Sequence, residues 1–301
     1  MNPALSRRAA VLLFATVIFA WGFNWTVTKL LLQSATPMWT IAIRSAIAVA
    51  ALLPLLLFTG NLALPKRGDI AVVVNIAVLH MTAYAVLVAL GIKLIPAGRS
   101  IVLGYTTPLW VAPGAMLFLG EKMTRWRTAG VALGVGGLAL MFNPVAFDWG
   151  DHRAVLGNAL ILLAAVSWAA SILHVRAHRW VSTPFQLVFW EVLLATVLLT
   201  VLACIFEGAP QVRWSWQVVG LFLYAGVIGV ALAYWAMAMV NRSLPAVTTS
   251  LGILATPVVG VLSALVTLGE PLSLPLIGAM LLIGGGIALG TVEHWKHKPP
   301  L

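Results

Sequence analysis

The sequence predicts an all-α integral membrane protein: ten transmembrane helices, arranged as two inverted five-helix repeats around a central cavity. Three observations carry that expectation. Hydrophobic residues make up 61% of the chain and charged residues 9%, against roughly 25% charged in a soluble domain. The apolar stretches divide into segments close to the ~20 residues that a helix needs to cross a bilayer. The chain also repeats itself. Pro96, Pro108 and Gly120-Glu121 align without a gap with Pro245, Pro257 and Gly269-Glu270 at an offset of 149, and the match runs on through Gly136-Gly137 and Gly285-Gly286. A second block, Trp21 and Pro37 against Trp168 and Pro184, agrees at an offset of 147.

The elements follow in order. The first span, 9–32, opens behind Arg7-Arg8. It is too long for a cleavable signal peptide and lacks a small-x-small site, and its Trp21 has a repeat partner. The second, 37–58, starts at Pro37 after Ala35-Thr36, and the third, 70–91, follows Leu64-Pro65-Lys66-Arg67. The fourth, 97–119, carries Tyr105-Thr106-Thr107-Pro108 and stops at Gly120-Glu121. The fifth, 126–142, contains Gly130-x-x-x-Gly134 and ends at Asn143-Pro144. The second half reads 155–176, 184–206, 217–239, 245–268 and 275–293, with a break at Gly208-Ala209-Pro210 and Gly286-x-x-x-Gly290 in the last span. Pro and Gly punctuate these boundaries for backbone reasons. The halves divide at residues 1–147 and 148–301. The loops are too short to be domains, and Cys204 is the single cysteine, so no intrachain disulfide forms.

The cations set the orientation. With the N-terminus inside, Arg7, Arg8, Lys66, Arg67, Lys122, Arg125, Arg127, Arg176, Arg179, Arg242, Lys296 and Lys298 fall inside. Lys29, Lys93, Arg99, Arg153 and Arg213 fall outside. Twelve against five favours both termini in the cytoplasm. The net charge of +10 is therefore a topology signal and not a nucleic-acid footprint. Five spans per half is an odd number, so the second copy enters from the opposite side. Inverted repeats of this kind let one site between the halves face two sides in turn.

Ten spans, a five-plus-five duplication, Trp21-Gly22 in the first span and Gly-Glu closing the fourth and ninth together resemble the EamA family of the drug/metabolite transporter superfamily. Within it, overall likeness and aromatic-rich helices are most similar to the bacterial aromatic amino-acid exporters. The resemblance implies a basket of helices around a central cavity, with helices 5 and 10 toward the periphery. It also implies export of small organic solutes.

Ionisable groups inside spans are the default site candidates, because burying them unpaired is costly. Arg44 and Glu191 align at the 147 offset, near opposite surfaces, so they are not expected to pair. For Arg44 two readings stand: it attracts a substrate carboxylate, or it pairs with backbone carbonyls or snorkels. His80 and Tyr84 lie four apart on one face of the third span. His80 either packs, binds a ligand or titrates. Glu121 and Glu270, and likewise Lys93 and Arg242, read as structural anchors common to both halves. His174 reads as interfacial.

Of thirteen Trp, Trp39, Trp126, Trp149, Trp180, Trp214, Trp216 and Trp295 lie near span ends, where indoles favour the headgroup region. Trp21, Trp25, Trp110, Trp168, Trp190 and Trp235 lie deeper. A cavity for apolar or aromatic solutes wants such walls and a few polar anchors. The expected substrate-binding residues are Trp21, Asn24, His80, Tyr84, Tyr105, Trp168 and Tyr234. Thr248, Thr249, Ser250 and Thr256 are the weaker counterpart of the Tyr105 region. Pro108, Pro113 and Pro257 are expected to kink the fourth and ninth spans and gate the two ends.

No phosphate-binding Gly-x-x-x-x-Gly-Lys-Ser/Thr, His-Glu-x-x-His or Cys-x-x-Cys occurs, so no built-in ATPase or metal centre is expected. An enzyme acting on lipid intermediates would need catalytic acids or histidines clustered at one face, and the sequence has none. The expectation is thus an inner-membrane exporter of amino acids and related small metabolites, with no cofactor. Its partners are the small-molecule substrate and the lipid bilayer, without nucleic acid, as a monomer or weak homo-oligomer. Few acids lie mid-span, which favours gradient-driven over proton-coupled transport. The alternative is a proton-coupled drug or metabolite antiporter of the same fold.

Overall fold

The computed structural model describes residues 6–143, 147–244 and 246–296. Pro144, Pro245 and Lys298 lie outside the described residues, as do the side chains of Arg242, Ser250, Trp295 and Lys296. The chain is built of helices α1 (Arg7–Leu31), α2 (Pro37–Phe58), α3 (Arg67–Leu94), α4 (Ala97–Leu119) and α5 (Arg125–Met141). These are followed by α6 (His152–Ala177), α7 (Pro184–Phe206), α8 (Trp216–Asn241), α9 in two pieces (Ala246–Gly252 and Ala255–Leu268) and α10 (Leu274–Lys296). Among the described residues, eight helices are long and apolar enough to cross a membrane, and Ala255–Leu268 is a shorter apolar helix. The expected span 126–142 becomes α5, which has 17 residues and opens with Arg125-Trp126-Arg127. On length and composition alone it does not qualify.

Local chemistry fixes the helix ends. Asp151 accepts from Arg153 N and Ala154 N to start α6, and Thr183 and Gln186 form a capping box on α7. Gly120 and Gly269 both sit at φ 67°, closing α4 and α9 in the left-handed conformation that glycine adopts without strain. That conformation is the physical content of the repeated Gly-Glu pair.

The prolines act differently from the expectation. α4 breaks at Tyr105-Thr106, between Ala97–Gly104 and Thr107–Leu119, and α9 breaks at Ile253-Leu254. Pro108 and Pro257 therefore lie in the first turn of the second piece, where an N–H has no helical partner to lose. Each helix is interrupted within the four residues ahead of its proline, the stretch a proline disturbs, and restarts with the proline in its first turn. Thr106 Oγ1 and Thr107 Oγ1 donate to Leu103 O (2.6 Å) and Gly104 O (2.9 Å), satisfying carbonyls at the break. Pro113 does lie inside its helix.

Two further irregularities were not expected. α3 widens into a π-helical stretch over Ile76–Ala83, and α8 does so over Tyr224–Leu232. Their starts are 148 residues apart, so the widening belongs to the repeat. Such insertions frequently mark functional sites.

α5 packs chiefly along α10, while α2 packs on α7, α3 on α6 and α1 on the longer piece of α9. At the α5–α10 crossing Gly130 faces Gly286, and a methyl group on either would come within 2.5 Å of the other's carbonyl oxygen. The small-residue spacings thus serve packing within one chain.

The two ends of the bundle are tied differently. At the α1–α2 end, Glu207 accepts from Met38 N (3.0 Å) and Trp39 N (3.1 Å) at the start of α2. Glu270 accepts from Ala97 N (2.7 Å) and Gly98 N (2.8 Å) at the start of α4. Both carboxylates belong to the second half and meet the positive end of a first-half helix, a favourable site for an anion. Ala35 and Val212 form an antiparallel bridge beside them, and Arg213 N donates to Ser34 O (2.8 Å). Trp39, expected at the headgroup level, is 9% exposed and donates its indole N–H to Gly208 O.

At the opposite end buried Asp69 accepts from Val181 N and Ser182 N and contacts His178 Nε2 at 3.0 Å. Glu121 pairs with Arg127 at 2.9 Å and with Arg176. Glu121 and Glu270 are both structural anchors, as expected, but by different means: Glu270 caps a helix, and Glu121 binds two arginines.

Candidate functional site: a central aromatic cavity

The seven residues singled out from the sequence as binding candidates converge. Trp21 and Asn24 from α1, His80 and Tyr84 from α3, Tyr105 from the break in α4, Trp168 from α6 and Tyr234 from α8 line one cavity between the halves. It encloses about 1100 Å³ of empty space, part of it open to the surroundings. The helices place these groups by register: His80 and Tyr84 are one turn apart, and so are Trp21 and Trp25 on the other wall.

The aromatic groups form two clusters. His80 stacks on Trp168 with centroids 5.1 Å apart and planes 2° from parallel, and Tyr84 leans on the same indole at 5.3 Å. Across the cavity Trp21 meets Tyr234 edge-on at 6.1 Å. Face and edge packing of this kind holds rings in place beyond simple burial. His80 makes no hydrogen bond among the described residues, so ring contacts with Trp168 and with Tyr84 (5.8 Å) orient it. The Asn24 side chain is seated on Gly229, where a methyl group would approach its Oδ1 to 2.8 Å. Asn24 Oδ1 is buried without a hydrogen-bond partner among the described residues.

Several wall residues were not singled out as binding candidates. Trp25 lines the cavity with its ring pressed on Gly104, where a methyl group would collide with it at 2.6 Å. Thr28, Ser45, Met81, Val192, Leu199, Gly229 and Val230 also contribute. Met81, Gly229 and Val230 arrive through the π-helical turns, which no composition signal announces. Arg44 also lies on this wall. Of the three prolines expected to gate, none lines the central cavity. Pro257 borders a separate apolar cavity shared by α4, α9 and α10. Trp110 and Trp190 point elsewhere: Trp110 is 37% exposed, and Trp190 donates to Ala63 O at 2.7 Å.

A model of the EamA-like transporter family matches residues 8–143 and again 155–292. The chain belongs to the EamA-like transporter family. It is accordingly a multi-pass membrane transporter and not an enzyme. Relatives span its length. An uncharacterized transporter, YoaV, of Bacillus subtilis is 23% identical over 94% of this chain and 97% of its own. A probable amino-acid metabolite efflux pump of Salmonella typhimurium is 27% identical over 93% and 94%. A probable terminal-alkyne amino-acid exporter of Streptantibioticus cattleyicolor is 29% identical over 73% of each chain. One solved crystal structure superposes with a TM-score of 0.67 at 23% identity, covering 97% of this chain and 100% of its own, which shows the shared fold.

Proposed function

We propose that this EamA-like transporter exports amino acids, including aromatic and apolar ones, and related small metabolites across a bacterial-type inner membrane by alternating access. The observation that carries the reading is the convergence of Trp21, Asn24, His80, Tyr84, Tyr105, Trp168 and Tyr234 on one cavity between the halves. The aromatic walls accept varied apolar side chains, and the hydroxyl and amide groups hold the common backbone of the solute. Two relatives named for export of amino acids or their metabolites support the substrate class.

The scheme needs ten membrane crossings, with α5 and α9 spanning beside the eight longer helices. It needs residues 1–147 and 148–301 to be inverted copies with both termini cytoplasmic. The double family match, the paired breaks in α4 and α9 and the paired π-helical turns support it. In this orientation the end held by Glu207 and Glu270 faces outward. Transport follows the solute gradient, and the breaks at Tyr105-Thr106 and Ile253-Leu254, with Pro108, Pro113 and Pro257 behind them, give α4 and α9 their bending points.

The decisive experiment is net efflux of labelled amino acids from preloaded proteoliposomes with the proton gradient collapsed. Sustained efflux that discriminates among amino acids is the expected result. Loss of net flux on collapsing the gradient, together with dependence on His80, would replace the reading with proton-coupled antiport. The observation favouring that second reading is the ring of His80, which lies on the cavity wall held by ring contacts with Trp168 and Tyr84.

A further inference from the structure

Arg44 is seven residues into α2, roughly 10 Å along the helix from its start. A guanidinium carries five donors and no acceptor, and it remains charged under any physiological condition. At that depth it needs an anion or water. Among the described residues it has neither an ion pair nor a hydrogen-bonding acceptor. It does not reach for the membrane surface, because it lines the central cavity with Tyr84 and Tyr234.

Its backbone is fixed. Gly226, in the π-helical turn of α8, lies so close to α2 that a methyl group there would be 2.8 Å from the Arg44 carbonyl and 2.6 Å from Ile47. Ser45 and Thr196 join α2 to α7 one residue further on, at 2.7 Å. The carboxylate at the equivalent repeat position, Glu191, is buried in the α2–α7 packing and forms no ion pair with Arg44. The cavity therefore presents a rigidly mounted cation for which the described residues supply no partner.

We infer that Arg44 is the anion subsite of the central cavity and binds the carboxylate of the transported solute. This deepens the transport reading and rests on it. A carboxylate meets a guanidinium through two parallel N–H···O bonds, which set its orientation as well as its affinity. The carboxylate end then docks at α2 while an apolar side chain lies toward His80, Tyr84 and Trp168. Substrates lacking the carboxylate leave the guanidinium desolvated and unpaired, so the site rejects them.

The test uses three probes of one shape in proteoliposomes: phenylalanine, 3-phenylpropionate and phenethylamine. The wild-type chain is expected to exchange the first two and to exchange phenethylamine at least tenfold more slowly. Arg44→Met is expected to lose carboxylate exchange by tenfold or more, and Arg44→Lys to retain part of it as a point charge. Should Arg44→Met fail to fold, the probe series on the wild-type chain and on Arg44→Lys still decides. Phenethylamine exchanged as fast as phenylalanine by the wild-type chain overturns the subsite. Phenylalanine exchange unchanged in Arg44→Met does the same, while leaving amino-acid export standing. Exchange of 3-phenylpropionate but not phenylalanine, dependent on Arg44, keeps the subsite and removes amino acids as the cargo.

Discussion

Glu270 and Glu121 follow glycines of identical conformation at the ends of equivalent helices, yet they do different things. Glu270 reaches across to the other half and caps α4 through Ala97 N and Gly98 N. Glu121 is drawn aside to Arg127 and Arg176. The neighbouring pair repeats the contrast. The start of α2 is capped by Glu207 from the other half, whereas the start of α7 is capped by its own Gln186. One end of the bundle thus joins the halves through second-half carboxylates seated on first-half helix starts, and the other joins them through first-half carboxylates, Asp69 on Val181 N, Ser182 N and His178, and Glu121 on Arg176. Duplicated scaffolding leaves the choice of partner free. Glu207 and Glu270 tie the α1–α2 end across the halves, and the alternating access proposed above would have to release that tie.

The comparison breaks most visibly at Glu270 and Glu207. Bonds to an ionised acceptor contribute about 1.5–3 kcal/mol each, so Glu270→Ala and Glu207→Ala are each expected to lower stability by about 2–3 kcal/mol. The thermal unfolding midpoint in detergent reads this. The same variants are expected to raise labelling of Thr36→Cys, on a Cys204→Ser background, by a membrane-impermeant maleimide. Unchanged labelling would mean that these carboxylates stabilise the end without closing it.

Gln186→Ala is the intermediate case. Losing the reciprocal half of a capping box costs about 1 kcal/mol. Because that cap is local to α7, the midpoint should fall modestly while labelling at position 36 stays at the wild-type level. Raised labelling would show that the two ends are coupled through α7 and are not independent.

Much of this was legible in the sequence. Apolar segment length and Pro/Gly punctuation located the helices, and the rarity of polar groups in them pointed to the cavity residues. Trp21, Asn24, His80, Tyr84, Tyr105, Trp168 and Tyr234 stand out because an aromatic or amide group mid-span has few other reasons to be there. The π-helical turns were not legible, because one extra residue per turn leaves apolar composition unchanged. It does, however, rotate Met81, Gly229 and Val230 into the cavity wall. The breaks in α4 and α9 were read as proline kinks because the sequence marks the proline and not the turn ahead of it. Glu207 drew no attention in the sequence, since its value lies in the approach of α2, a contact far away along the chain.

The smallest expected effect is the sharpest test of the contrast. Glu121 is about a quarter exposed, and its arginine partners Arg127 and Arg176 are 19% and 37% exposed. Ion pairs in such surroundings are each worth about 0.2–1 kcal/mol. Glu121→Gln should therefore shift the unfolding midpoint by less than Gln186→Ala and far less than Glu270→Ala. Its effect should also shrink in high salt, which screens half-exposed charges more than a carboxylate seated on a helix end. A salt-insensitive loss as large as that of Glu270→Ala would mean that Glu121 also binds a helix terminus in a populated state. The two ends would then differ only in which of them is closed at a given moment.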